Sequence, residues 1–241
     1  MIEAVTFDFW GTLYADTPDA ADKRFERRVA VAQGFFAAAG KRLDSATVRL
    51  ALQTASVAIN NARAKRHQGM SGEDVGHQVA RELGFSLAGK DAKVLGESLS
   101  AIGCRHRPAP IDGAGALLGG LRGKVKLAVI SDTILTLGAD LEQVMATHGL
   151  AEMFDHFTWS DQTLTTKPMT RQFLHTIHML GVAPDRAVHV GDLEATDIVG
   201  AHEARMRAIL VGDKAAPTAA DAVACSLQEV GRILFKWIDE G

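Results

Sequence analysis

Two cysteines, Cys104 and Cys225, are all that the 241 residues contain, and neither stands in metal-ligand spacing or beside a histidine motif. That scarcity speaks against a disulfide scaffold and against structural zinc, and a reducing cytoplasm is the expected location. Basic charge is not in excess either: 26 Lys plus Arg stand against 29 Asp plus Glu, a formal net charge of -3. Nucleic-acid binders carry a positive footprint that neutralises phosphates, so no nucleic-acid partner is expected. No stretch approaches the roughly 20 apolar residues that a membrane-spanning helix needs, and no basic N-terminal region leads into an apolar run, so neither a membrane partner nor a targeting leader is expected. Internal repeats and low-complexity tracts are lacking. What remains is an ordinary globular composition, 47% hydrophobic, enough to bury a full core in one large domain with room for a smaller one.

The stretch VTFDFWGTLY, Val5 to Tyr14, organises the rest, because an apolar run ends there abruptly in an acid and a glycine turn. Val5 and Phe7 suit a parallel strand covered on both faces, while Gly11 and Thr12 permit a tight turn whose N–H groups can face an anion. Asp8, delivered to the sheet edge, is a candidate nucleophile; read alone, it is more simply an N-cap.

After Tyr14 the period becomes helical, starting from Thr17 as N-cap and Pro18 as first-turn proline. Phe25, Val29, Ala32 and Phe36 share one face, and Gly40 ends the helix. Asp44 or Ser45 caps a second helix carrying Val48, Leu52, Ala55 and Ile59. Ser71, with Asp74 three residues on, opens a third with Val75, Val79 and Leu83, and a fourth carries Leu95, Leu99 and Ile102. Four helices without a strand, flanked by strand signals, predict a helical insertion over residues 16–107 in an α/β core made of residues 1–15 and 108–241. Arg107, Pro108 and Pro110 mark the return. From Ile111 strands and helices alternate: Lys126 to Ile130, Phe154 to Trp159, Ala187 to Val190 and Ala208 to Val211 read as strands, with Ala222 to Cys225 as an edge. That rhythm predicts a parallel sheet.

Polar residues close the core strands: Asp8 after the first, Ser131 after KLAVI, Asp192 after AVHVG, with Lys167 ahead of a helix. The carboxyl ends of strands in an open α/β sheet share one crevice, so residues far apart in sequence converge there. Taken singly, each has a plain reading: Ser131 or Asp132 as a helix cap, Lys167 as a surface lysine, Asp192 and Asp197 as a loop acid and a helix-face acid. Taken in this order, as FDFWGTL, VISD, TKP and VGDLEATD, they make the sequence resemble the haloacid dehalogenase superfamily over nearly its whole length. An insertion between the first and second of these motifs is similar to the helical C1-type cap of subfamily I. The resemblance implies a Rossmann-like core and an enzyme, a hydrolase in which Asp8 attacks, usually at a phosphoryl group, through an aspartyl-enzyme intermediate. A carboxylate attacking an anion must have its repulsion offset by nearby cations. On this resemblance Asp8 and Asp192 supply oxygen ligands to Mg2+ and Asp197 is in reach of its waters, while Lys167 neutralises nucleophile and phosphoryl oxygens. Thr12 and Ser131 join backbone N–H groups in the anion cradle. The residue two past the nucleophile lends its backbone carbonyl to the metal in that family, a part open to Trp10.

Trp10 is also the departure. The family's phosphatases carry there a second Asp, the acid/base that protonates the leaving group, and indole can neither give nor take that proton. The family's dehalogenases have an aromatic residue at this place, but they need no metal and replace the metal-binding Asp of the fourth motif, whereas this sequence keeps Asp192 and the five-residue step to Asp197. The preferred reading is a Mg2+-dependent hydrolase of a small phosphorylated metabolite, favouring activated esters. The alternatives are 2-haloacid dehalogenase-like cleavage of a carbon–halogen bond and a non-catalytic phosphometabolite-binding protein. His189 is expected to be packed inside its strand, and the other histidines form no ligand spacing. Lys41 and Arg42, in the turn between the first two inserted helices, either reach the crevice or stay solvated. A cap lysine forming a Schiff base, as in the family's phosphonate-cleaving branch, stays open. The sequence carries no signal of oligomeric state.

Overall fold

The computed structural model describes residues 1–213 and 217–240. Strand β1 (Ala4–Phe7) leads through the two-residue β2 (Tyr14–Ala15) into five helices, α1 (Pro18–Ala38), α2 (Ser45–Arg66), α3 (Gly72–Glu82), α4 (Gly89–Ser100) and α5 (Ile102–Arg105). The chain returns through β3 (Ala109–Pro110) and α6 (Ala114–Leu121) to β4 (Lys126–Ser131), α7 (Gly138–Thr147) and β5 (His156–Trp159). There follow α8 (Ser160–Thr163), α9 (Thr170–Leu180), β6 (Ala187–Gly191), α10 (Val199–Glu203), β7 (Arg207–Val211), β8 (Ala222–Ala224) and α11 (Leu227–Asp239). No helix among the described residues is long and apolar enough to cross a membrane.

Six strands form one sheet in the order β5-β4-β1-β6-β7-β8, every pair parallel, so this is the expected α/β Rossmann-like architecture. Successive strand side chains point to opposite faces. Val5 and Phe7 therefore join Val129, Val190 and Ile209 under α6, α7 and α11, while Ala4 joins Ala128, Ile130 and Ala208 against Phe173 and Ile177 of α9. Each large apolar side chain fully buried in these layers contributes on the order of 2 kcal/mol. The strand order also places the polar strand ends, because β4 and β6 both flank β1 and bring Ser131 and the turn after Gly191 beside Asp8.

The inserted helices build a cluster of their own from Val29, Phe36, Leu52, Val79, Leu95 and Leu99, the residues on the faces that periodicity marks. Their starts also follow the sequence: Thr17 accepts from the N–H of Ala20, Asp44 from that of Thr47, and Ser71 with Asp74 forms a reciprocal capping box. One expectation fails. Ile102 does not continue the fourth helix; α4 stops at Ser100, and Ile102 opens the separate one-turn α5. Ser100 stands at the break, where its buried hydroxyl donates to Asp140 and accepts from the N–H of Leu137, tying the end of α4 to the start of α7. The two crossings between core and helices pair as a short antiparallel ladder, β2 with β3, which no periodicity announces.

Candidate active site

Asp8 is fixed where β1 ends. Its N–H donates to the carbonyl of Val190 at 2.9 Å, and its Oδ1 accepts from the N–H of Phe9 at 2.7 Å. The same oxygen lies 2.8 Å from the ammonium of Lys167. Among the described residues nothing donates to Oδ2, although Asp8 is only 6% exposed. The chain then turns sharply at Gly11, whose φ of +74° suits glycine and whose missing Cβ leaves room for Asp192: a Cβ there would meet Asp192 Oδ2 at 2.3 Å. Gly11→Ala is therefore expected to cost about 1–2 kcal/mol in equilibrium denaturation, from backbone strain alone, and to push Asp192 aside. A Mg2+ titration checks the second effect; an affinity unchanged from the parent protein would show that the Asp192 carboxylate is not a ligand.

Lys167 is not a surface lysine. It is 4% exposed, and its Nζ sits 2.5 Å from Asp197 Oδ1 besides its contact with Asp8. Burial works against the ammonium, yet Asp197, Asp8 and Asp132 together outweigh it and raise its pKa, so the charge is permanent. Its N–H donates to Asp132 Oδ1 at 3.1 Å. Asp197 commits both oxygens to this scaffold: Oδ1 accepts from Lys167 and from His189 Nε2 at 3.1 Å, and Oδ2 from the N–H of Leu193 at 2.9 Å. Burial alone would raise the Asp197 carboxyl, but Lys167 and His189 hold it well below the usual carboxylate range. His189 is packed, as its strand position suggests, and it also braces the site. Because Nε2 must donate to a carboxylate, Nδ1 is the acceptor for the hydroxyl of Thr6, 2.8 Å away, and burial keeps the ring neutral by depressing its pKa.

Asp192 differs from Asp197 in having a free oxygen. Its Oδ1 is buried without a partner, as are the hydroxyls of Thr12 and Ser131. Buried polar atoms are rarely left so unless something else occupies the space between them. Burial, reinforced by Asp8 and Asp197, pushes the Asp192 carboxyl up to about 6. Asp132 is likewise raised to about 6, by burial first and against the pull of Lys167. Oxygens of Asp8, Asp192 and Asp197 all lie within 4.8 Å of one another. This set of hard oxygens, with more negative charge than Lys167 balances, fits a small divalent cation such as Mg2+.

Above this floor lies a crevice of about 520 Å³ that Trp10 and Lys167 line from the core, and Arg24, Arg28 and Arg63 from α1 and α2. The indole of Trp10 is half-buried and stands edge-on to Phe9 at 5.0 Å. Lys41 and Arg42 are exposed and lie outside the crevice, Lys41 resting 5.9 Å from the centroid of the Phe85 ring. Among the described residues, no lysine of the inserted helices lines it. The three arginines were not singled out by sequence patterning, which follows apolar positions; the four-residue step from Arg24 to Arg28, one turn on a shared face, was the available signal.

A sequence profile of haloacid dehalogenase-like hydrolases matches residues 2–205. Over 66 residues the chain is 38% identical to a glyceraldehyde 3-phosphate phosphatase of Methanothermobacter thermautotrophicus, a match covering 27% of this chain and 29% of that relative. Two crystal structures are similar over almost the whole chain. A 2-haloacid dehalogenase from Pseudomonas syringae pv. Tomato superposes with a TM-score of 0.70 at 24% identity, over 98% of this chain and 100% of that one. A HAD phosphatase from Thermococcus onnurineus gives 0.67 at 20% identity, over 97% and 98%. Identities this low establish a shared fold, and the two neighbours carry different chemistries.

Proposed function

The chain belongs to the haloacid dehalogenase-like hydrolase family, and from that premise we propose that it is a Mg2+-dependent hydrolase of a small phosphorylated metabolite, with Asp8 as nucleophile and residues 16–107 as a cap over the core of 1–15 and 108–241. One observation carries this reading: Asp8 keeps Oδ2 free while Oδ1 is held by Lys167, itself anchored on Asp197. Oδ2 attacks phosphorus, the ester oxygen leaves with its electron pair, and water then attacks phosphorus to free phosphate and restore Asp8. Lys167 orients the nucleophile and offsets charge, while Thr12 and Ser131 donate their unpaired hydroxyls to the phosphoryl oxygens. Asp8, Asp192 and the carbonyl of Trp10 would hold Mg2+, with Asp197 in reach, and a bound ion would supply Lewis-acid charge to a phosphoryl oxygen. Two unpaired cysteines suit a reducing compartment such as the cytoplasm.

The acids near Asp8 have other partners or another part in this reading, Asp192 being assigned to the metal. Trp10 has no suitable proton, Asp132 is bound to the N–H of Lys167 and to Arg63, and Asp16 is paired with Arg24. An alkoxide leaving group should therefore be slow and an acyl or aryl phosphate fast. Trp10→Asp is expected to raise alkyl phosphate hydrolysis by roughly 10²-fold, the lower end of what a general acid/base contributes, and to flatten the dependence on leaving-group basicity. A folded variant with no gain, beside a parent enzyme insensitive to the leaving group, would mean that another residue supplies the acid.

The second reading, carbon–halogen cleavage, draws on the aromatic Trp10 in the crevice. Phosphate release and halide release from a panel of phosphate esters and 2-haloacids, each with Mg2+ and with chelator, separate the readings. Phosphate release lost in chelator supports the proposal; halide release that persists in chelator replaces it. Binding of phosphate esters without turnover would make the protein a phosphometabolite binder.

A further inference from the structure

Arg28 is the least explained charge in the protein. It is only 7% exposed, yet its hydrogen-bond partners are neutral: Nε donates to the carbonyl of Leu99 at 2.9 Å and one terminal nitrogen to Thr136 Oγ1 at 2.6 Å. Among the described residues no carboxylate lies within ion-pair distance of it, whereas Arg24, one turn earlier, is paired with Asp16 at 2.5 Å. Burial, with the nearby charge of Arg24, lowers the Arg28 pKa to about 10 although Asp16 and Asp140 pull the other way, so the group stays cationic with no carboxylate in contact. Retaining a buried charge without a counter-ion is costly, and such groups ordinarily find a partner. Clamping α1 to α4 would need only a neutral donor and does not account for the charge.

Arg63, on α2, is also incompletely partnered. Its Nε is buried with no hydrogen-bond partner, and its one acidic neighbour among the described residues is Asp132 at 3.4 Å. Arg24, Arg28 and Arg63 all line the crevice from the inserted helices, with Asp16 paired to Arg24 and Asp132 to Arg63, which leaves Arg28 as the guanidinium of the three with no carboxylate partner among the described residues. The core side of the crevice, at Asp8 and Asp192, is acidic. A volume of about 520 Å³ holds a small metabolite with both ends engaged.

We propose that this arginine wall, centred on Arg28, binds a second anionic group of the substrate, so that the molecule accepted is a compact phosphate ester bearing a carboxylate or a second phosphate. The inference rests on the reading that the phosphoryl group to be cleaved sits at Asp8. An anion placed against Arg28 gives it the missing counter-charge, and the planar guanidinium suits either carboxylate or phosphate through paired N–H donors. The same contact would hold the scissile group against Asp8 and reject neutral-tailed esters, whose burial would leave Arg28 unpaired.

The test is calorimetric binding to the Asp8→Asn protein with Mg2+, in which turnover does not interfere. The probes are 2-carboxyethyl phosphate, its neutral amide, and ethylene glycol bisphosphate. Charge-assisted hydrogen bonds predict the acid or the bisphosphate to bind roughly 10- to 100-fold more tightly than the amide, and the tighter of the two identifies the anion. Arg28→Gln in that background should shrink the preference to about threefold or less; if it fails to fold, Arg63→Gln should reduce the preference in the same direction. Equal affinities for all three probes, or binding of none, overturn the proposal, as does a preference unaffected in a folded Arg28→Gln protein. Turnover by the unsubstituted enzyme separates this inference from the function it rests on. Hydrolysis of acid and amide at equal KM would leave the hydrolase and remove the subsite. Charge-selective binding without hydrolysis would do the reverse.

Discussion

Asp8→Asn should reduce turnover of an activated phosphate ester by at least about 10⁴-fold, since removal of a nucleophile within a catalytic unit has cost about 10⁶-fold in a hydrolase studied in this way. An amide nitrogen or oxygen in place of Oδ2 is a poor nucleophile, and the change also withdraws the charge facing Lys167 at 2.8 Å. The fold should survive. Lys167 keeps its shorter contact with Asp197, and the backbone link from residue 8 to Val190 does not depend on the side chain. Rapid-quench measurement of phosphate release, beside a urea unfolding curve, checks both halves. Substantial activity in a folded Asp8→Asn protein would remove Asp8 from the mechanism.

Lys167→Met should damage stability and rate together. The ammonium lies among Asp8, Asp197 and Asp132, so its removal leaves buried carboxylates facing one another with no cation between them. Taking one partner from a buried ion pair costs about 3–5 kcal/mol, and loss of a preorganised charge at the reacting group costs about 10²- to 10³-fold in rate. Urea unfolding in chelator should show the full loss. Added Mg2+ should restore part of it, because a ligand that binds only the folded state stabilises by mass action, and the vacated negative charge should raise its affinity. Unchanged stability would mean that the carboxylates relax by taking up protons or water without needing Lys167.

Much of this protein is written in local pattern. Alternation in VTF and KLAVI, helical spacing in the inserted segment and the caps Thr17, Asp44 and Ser71 all follow from backbone geometry that a few neighbouring residues decide. The strand-end residues were legible too, because parallel α/β strands deliver their carboxyl ends to one side whatever their order. Where local preference meets a distant partner, the pattern stops being informative. Ile102 has the right spacing for α4, but Ser100 is fastened to Asp140 and Leu137 across the chain.

The site divides along the same line. In sequence, Asp192 and Asp197 are two similar acids five positions apart, and nothing local tells them apart. Tertiary structure makes one a fully engaged anchor for Lys167 and His189 and leaves the other with an unpartnered oxygen in the crevice. Arg24, Arg28 and Arg63 read as ordinary charged positions on helices, because exposure is a property of what packs against a helix and not of its period. Composition and periodicity determined the α/β core, the helical insertion and the identity of the strand-end residues. Which charges are buried, which are paired, and which are left facing the crevice was decided only when β4 and β6 closed around β1 and the inserted helices folded back over them, since those contacts join residues as much as 183 positions apart.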